Sequence, residues 1–237
     1  MGYLVTRPDF EIVTRIVAAY FKRYIVDPAI AKGISVEDLA GDDAVPSVFW
    51  DRIQKAGVSI VTGCGHGAED EFTGQRYATL IKVGAYDPAL IKNKWISHIS
   101  CSTGAVLGPD LVEKGAKGFK GYKDTYIFYA DPGAPDPTED ISSKRYIRPD
   151  TMRHEWEIQG TDPQTADQNA GQEYANWARF WSTRDPEIAD TIRYDVSIMV
   201  LITPTTPPEP CPVGNGIAKF LNFFAWLLGR KGRFRYG

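Results

Sequence analysis

Two short stretches hold side chains that can do covalent chemistry. VSIVTGCGHGAEDEFTGQ, residues 58–75, carries His66, and WISHISCSTG, residues 95–104, carries Cys101. A thiol becomes a nucleophile when a neighbouring imidazole takes its proton, and the same imidazole can then protonate a leaving amine. The two residues lie 101 − 66 = 35 positions apart, and each follows an apolar run that reads as a buried strand. If the strands are parallel neighbours, both side chains emerge at one edge of the sheet. Gly65 and Gly67 flank the histidine, so the backbone can turn sharply and a substrate can come close. The amide groups of Gly67 and Cys101 are the expected donors to a developing oxyanion.

Other chemistries compete for the same residues. Cys64-x-His66 and His98-x-x-Cys101 supply four ligands of a kind that tetrahedral zinc accepts. His98 and Cys101 are three apart, however, so an extended strand sends them to opposite faces. GCGHG resembles a phosphate-cradling turn in composition but has neither the GxGxxG spacing nor the lysine of a P-loop. Glu69, Asp70 and Glu71 read most simply as solvated loop charges. As functional groups, one of them, or Asp124, would draw a basic substrate side chain to the cleft. His154 has no evident partner and reads as a surface residue. Trp156, Trp177 and Trp181 read as packing residues.

The elements that must position these groups alternate. Strands are expected at Tyr3–Thr6, Val58–Thr62, Trp95–Ser100, Thr125–Ala130 and Tyr194–Ile202. Helices are expected at about Asp9–Tyr24, Pro46–Ala56, Tyr77–Val83, Gly108–Lys114, Asp162–Trp181 and Asp185–Ile192. Ile34–Leu39 fits strand or helix, Gly115–Gly121 reads as a connection, and Asp131–Asp140 as a Pro-rich surface loop. This alternation predicts an α/β fold of three layers, a mostly parallel sheet with helices on both faces, with function at the carboxyl ends of the strands. The last strand is expected at a sheet edge. The body is expected to span 1–203, followed by a Pro-rich linker at 204–216 and an apolar, then basic, C-terminal helix and tail at 217–237.

GHGAEDEFTGQ followed by ISCSTGAVLGPDLVEKGAKGFKGYKDTYIF resembles the clan of caspase-like cysteine peptidases, which includes caspases, metacaspases, legumain, clostripain and gingipains. The nearest likeness is to prokaryotic gingipain-like or caspase-like domains, and it covers roughly Val58 to Tyr129. The resemblance maps the family's histidine onto His66 and its nucleophile onto Cys101. It implies the three-layer caspase-like fold and a cysteine endopeptidase that passes through a thioester acyl-enzyme. A carboxylate in the pocket for the residue before the cleaved bond would imply cleavage after Arg or Lys. The chain departs from the clan at Ser100, where much of the clan has alanine. It also departs at Ser102-Thr103-Gly104, where caspases place glycine two residues after the cysteine. The aspartate that follows the cysteine in metacaspases is missing. Some clan members bind regulatory calcium, but no calcium-loop spacing is present here, and the chemistry implied needs no cofactor. Some require an internal cut, for which DPGAPDPTEDISSKRYIR, with Lys144, Arg145 and Arg148, is the expected place. A catalytically silent caspase-like binding module is the alternative.

Composition sets outer bounds. The chain has 237 residues, 43% of them hydrophobic and 24% charged, with a net charge of −3. That length suits one large domain with a sizeable core, and the charge gives no global reason to expect nucleic acid. Three cysteines make a poor disulfide framework and suit a reducing compartment. The first residues lack the pattern of a signal peptide, so a cytoplasmic location is expected. The C-terminal segment, with Arg230, Lys231, Arg233 and Arg235 after an apolar run, is expected to pack on the body or a second subunit. Its other readings are peripheral contact with an anionic membrane and a docking or autoinhibitory role. The expected partner is a protein or peptide substrate, and nothing in the sequence fixes the oligomeric state.

Overall fold

Runs of β-branched and aromatic residues build the centre of the molecule. The computed structural model describes residues 1–205 and 234–236. β1 (Gly2–Arg7), β2 (Ser35–Ala40), β3 (Val58–Cys64), β6 (Trp95–Ile99), β7 (Gly118–Tyr122) and β9 (Met199–Ile202) form a six-stranded sheet in the order β2-β1-β3-β6-β7-β9. Every neighbouring pair is parallel except β7 with β9 at one edge. β4 (Glu71–Thr73) and β5 (Thr79–Lys82) form a separate hairpin. β8 (Phe128–Ala130) pairs antiparallel with β10 (Phe234–Tyr236).

Alternation along each strand divides the core in two. Tyr3 and Val5 of β1, Ile60 and Cys64 of β3 and Ile99 of β6 face one side. There they meet α1 (Ile12–Phe21), α2 (Asp27–Ala31), α6 (Ile141–Ile158), α7 (Pro163–Trp181) and α8 (Pro186–Ile198). One π-helical turn, Lys22–Val26, joins α1 to α2. Leu4, Val61 and Ile96 face the other side, against α3 (Pro46–Arg52), α4 (Pro88–Ile91), α5 (Leu107–Glu113) and the β4–β5 hairpin. The fold is therefore α/β, with a mostly parallel mixed sheet between helical layers.

Several elements differ from the sequence expectation, each for a physical reason. Tyr77–Val83 is largely strand, because Leu80 and Ile81 are buried across the hairpin from Phe72. Gly115–Gly121 contains a central strand, β7. Its glycines are spaces for aromatic rings: a β-carbon at Gly118 would lie 2.0 Å from the Trp95 ring. Lys120 in the same strand is buried and paired with Asp150, so its charge does not mark a surface loop. Of Thr125–Ala130 only Phe128–Ala130 is strand, and it lies outside the main sheet.

The expected cleavage loop is irregular over 131–140, and its second part, with Lys144, Arg145 and Arg148, belongs to α6. Asp140 caps it, accepting hydrogen bonds from the Ser142 and Ser143 amides. Arg145 is 1% exposed and stacks 4.5 Å from the Trp181 ring, while Arg148 forks onto Glu155. The helix buries Arg145, Asp150, Arg153, His154 and Glu157 beside Tyr146, Ile147 and Ile158, so charged residues interrupt the apolar stripe of its inner face. Tyr194–Ile202 is helix to Ile198 and strand only from Met199, and that strand does lie at the sheet edge. Most of the linker and the apolar segment of the tail lie outside the described residues, while Phe234–Tyr236 is strand. Among the described residues no helix is long and apolar enough to cross a membrane.

Candidate active site

β3 and β6 are parallel neighbours with Cys64 opposite Ile99, an offset of 35. The Gly65 amide still donates to the Ile99 carbonyl at 3.3 Å beyond the strand end. The same offset of 35 separates His66 from Cys101, which follow the ends of the two strands. Both have the parity of Cys64 and Ile99, so both emerge on the α1 side of the sheet, at its carboxyl edge.

The turn carrying His66 is held from outside. Thr73 donates through its amide (2.9 Å) and hydroxyl (3.1 Å) to the His66 carbonyl. Glycine is required at 65 and 67. A β-carbon at Gly65 would sit 2.1 Å from the Thr73 carbonyl oxygen, and one at Gly67 would sit 2.4 Å from that of Cys101. The second figure shows that the two turns touch. Beyond Cys101, Ser102 takes the left-handed backbone at φ 60° and donates its amide to the Asp124 carbonyl at 3.0 Å. Ser100 and Thr103 hydroxyls bond across the turn at 3.0 Å.

The imidazole has a carboxylate partner that the sequence reading missed. His66 Nε2 bonds Glu11 Oε1. Glu11 stands just before α1, where a helix N-terminus favours negative charge. A glutamate 55 positions upstream of the histidine leaves no local signal. Its place at the junction after β1, an element that ends at the same sheet edge, was the available clue. With Nε2 occupied, Nδ1 is the nitrogen left for chemistry, and it has no hydrogen-bond partner among the described residues.

Cys101 is half-buried against the core, with Sγ 4.0 Å from the Tyr126 carbonyl oxygen. Burial pushes its thiol pKa up, and the nearby Asp195 and Asp124 carboxylates add to that, while the hydrogen bond to Tyr126 opposes it. The thiol is therefore the resting form, and a thiolate must be made by passing its proton to a base. The Gly67 and Cys101 amide N–H groups meet no acceptor among the described residues. Unpaired donors beside a thiol are what an oxyanion site requires.

Of the four carboxylates named from sequence, Asp124 is the one that acts on the Cys101 thiol. Its Oδ1 accepts the Thr125 amide at 2.8 Å, and it also bonds the Tyr194 hydroxyl. Asp70 and Glu71 both reach Lys82, at 3.5 and 3.3 Å. Glu69 is exposed, and its carbonyl accepts the Leu107 amide at 2.8 Å.

The other two histidines lie elsewhere. His98 faces the opposite side of the sheet, stacked on Phe72 with centroids 3.8 Å apart. Cys64 is turned toward Thr6, and among the described residues no cluster of His, Cys, Asp or Glu could hold a metal ion. His154 is buried, not on the surface: it is 3% exposed, with Nδ1 on Glu157 at 2.7 Å and Nε2 at 3.1 Å from the Thr62 hydroxyl. It joins a buried polar network under the sheet that includes Lys120, Asp150 and Arg153.

No protein-family model matches this chain, and no curated protein matches it. Solved structures similar to it include the crystal structure of the Arg-specific cysteine proteinase gingipain R (RgpB), at 10% identity and a TM-score of 0.46. That match covers 85% of this chain and 45% of the other. A complex of the Porphyromonas gingivalis RgpB pro- and mature domains matches at 10% identity and a TM-score of 0.45, over 85% of this chain and 47% of that one. The chain thus spans less than half the length of either structure.

Proposed function

We propose that this chain is a cysteine endopeptidase whose nucleophile is Cys101 and whose acid–base is His66. The observation that supports the reading is the shared edge: β3 and β6 are parallel neighbours, the two residues follow their carboxyl ends at the ladder's own offset, and Glu11 bonds Nε2 of the imidazole. Cys101 passes its proton to His66 Nδ1 as Sγ attacks the scissile carbonyl carbon. The carbonyl electron pair moves to oxygen and is received by the Gly67 and Cys101 amides. When the tetrahedral intermediate collapses, the C–N bond breaks and His66 returns the proton to the departing amine. Water then attacks the thioester, giving its proton to His66, and the thiol leaves with that proton. Glu11 fixes the ring and balances the imidazolium that forms in each half. Every step uses groups of this chain and water.

Asp124 is the residue through which a basic side chain before the cleaved bond would be recognised, since it lies at the thiol and carries negative charge. The test is a panel of acyloxymethyl ketone peptides with Arg, Lys, Asp or Asn at that position, read by intact mass and peptide mapping. The expected result is an adduct on Cys101 with Arg or Lys peptides, absent in Cys101→Ala and His66→Ala. A second reading, a silent binding module, is favoured by the upward push on the Cys101 thiol. A Cys101 that reacts only after denaturation would establish that reading and end the first.

A further inference from the structure

The turn between β4 and β5 is strained in a way that its own packing does not require. Arg76 and Tyr77 are consecutive non-glycine residues with φ of 52° and 62°. Such conformations are costly for residues with a β-carbon and persist only where the surroundings impose them. Here the imposing residue is Gln75, which is buried. Its side chain accepts the Asp9 amide at 3.0 Å and donates to Asp9 and Asp42 carboxylates at 3.1 and 3.3 Å. Its amide donates to the Ala44 carbonyl at 2.8 Å.

The strain does not serve burial, because Tyr77 is 59% exposed. It serves placement. The Tyr77 ring lies 5.0 Å from that of His66, tilted by 30°, and 4.9 Å from Phe10, edge to face. Its hydroxyl donates to Glu11 Oε2 at 3.3 Å. Glu11 is therefore held by both oxygens, one on the imidazole and one on the phenol. A carboxylate gripped at one oxygen only can swing, and the imidazole would swing with it.

We infer that Tyr77 is a positioning residue, which fixes Glu11 and covers one face of His66 so that Nδ1 stays turned to the Cys101 side. The inference rests on the peptidase reading for its kinetic consequence but not for its structural one. The test uses Tyr77→Phe and Tyr77→Ala in the full chain, with the Arg ketone peptide as inactivator. Tyr77→Phe should lower the maximal inactivation rate about threefold to tenfold, the loss that one hydrogen bond accounts for, with the half-saturating concentration unchanged. Tyr77→Ala should lower it further, so that phenylalanine partly rescues.

The chain has only three histidines, so the imidazole 15N resonances of His66 can be assigned with a His66→Ala control. In the neutral ring, the wild type should carry its proton on Nε2, and Tyr77→Ala should give a mixture of tautomers. Unchanged inactivation in both variants overturns the inference. If the wild type forms no Cys101 adduct, the peptidase reading falls by itself. The 15N spectrum then decides, and an unaltered tautomer in Tyr77→Ala overturns the positioning role.

Discussion

Gly67 packs against the carbonyl of Cys101: a β-carbon on the first would lie 2.4 Å from the oxygen of the second, and 2.6 Å from Thr103. The turn that carries the imidazole and the turn that carries the thiol are thus fitted to each other through backbone. Gly67→Ala should cost about 1–3 kcal/mol, the usual cost of overpacking, and should slow labelling of Cys101. Urea denaturation alongside the ketone assay measures both. Gly171→Ala is the control, since Gly171 lies in α7 with open space around it, and should stabilise by up to about 1 kcal/mol. A Gly67→Ala protein that matches the wild type on both counts would separate the two turns.

Glu11→Gln keeps a group that can bond Tyr77 and His66 but removes the charge that balances an imidazolium. Turnover, or the maximal rate of inactivation, should fall by about 10²-fold, the scale of one acid–base contribution. The melting temperature should change little, because Glu11 is partly exposed. An equal fall for Glu11→Ala with full rate in Glu11→Gln would assign Glu11 a packing role instead.

Acid should destabilise the fold before any carboxylate titrates. Burial pushes His98 down to about 3, and burial together with the neighbouring Arg153 pushes His154 down to about 4, from an ordinary 6.5. The unfolded chain therefore takes up protons that the folded chain refuses. The contribution of the histidines is at its full value above about pH 6.5 and is lost as pH falls, by roughly 2 kcal/mol for each histidine at pH 5. Burial raises Glu157, but Arg153 and His154 outweigh it and hold the carboxyl at about 2, from an ordinary 4.5, so it stays charged from pH 7 to 5. Burial pushes Lys120 down to about 7, from 10.5, which adds a smaller loss at the upper end of that interval. Denaturant titrations over that interval should show the loss, and His98→Phe should halve it. A flat profile would refute the burial of neutral imidazoles.

Lys120 and Asp150 pair beneath the sheet, with Asp167 3.8 Å from the same ammonium. Removing one member strands a buried charge. Lys120→Ala should cost about 3–5 kcal/mol, whereas Lys120→Met combined with Asp150→Leu should recover most of it. Equal losses in the single and double variants would show that the network contributes by shape alone.

Native trypsin should spare Lys144, Arg145 and Arg148. All three lie in α6, and Arg145 is buried against Trp181. Mapping of early fragments by mass spectrometry checks this, and rapid cutting there would restore the loop reading.

These residues also show where sequence reading succeeds. β3 and β6 are rich in buried apolar residues, so their existence as strands could be read from pattern, and they are parallel neighbours. β7 could not: a strand written GFKGY conceals two aromatic contacts as glycines and a buried ion pair as a lysine. α6 buries charged residues among its apolar ones, so its period carried only a weak hydrophobic signal. Glu11 and Tyr77 are ordinary in sequence, and only tertiary proximity gives them meaning.

The offset between β3 and β6 has a consequence for recognising relatives. The strand ladder, not the intervening chain, sets which residue faces which. Between the strands lie a hairpin and the short helix α4, joined by turns at the molecular surface such as Val83–Asp87. Residues added to or removed from that turn would change the count of 35 while leaving the strand ladder intact. One residue of slip in the ladder would keep the count and send one partner to the wrong face. Spacing is therefore a poor search key for homologues of this site, and strand register a faithful one.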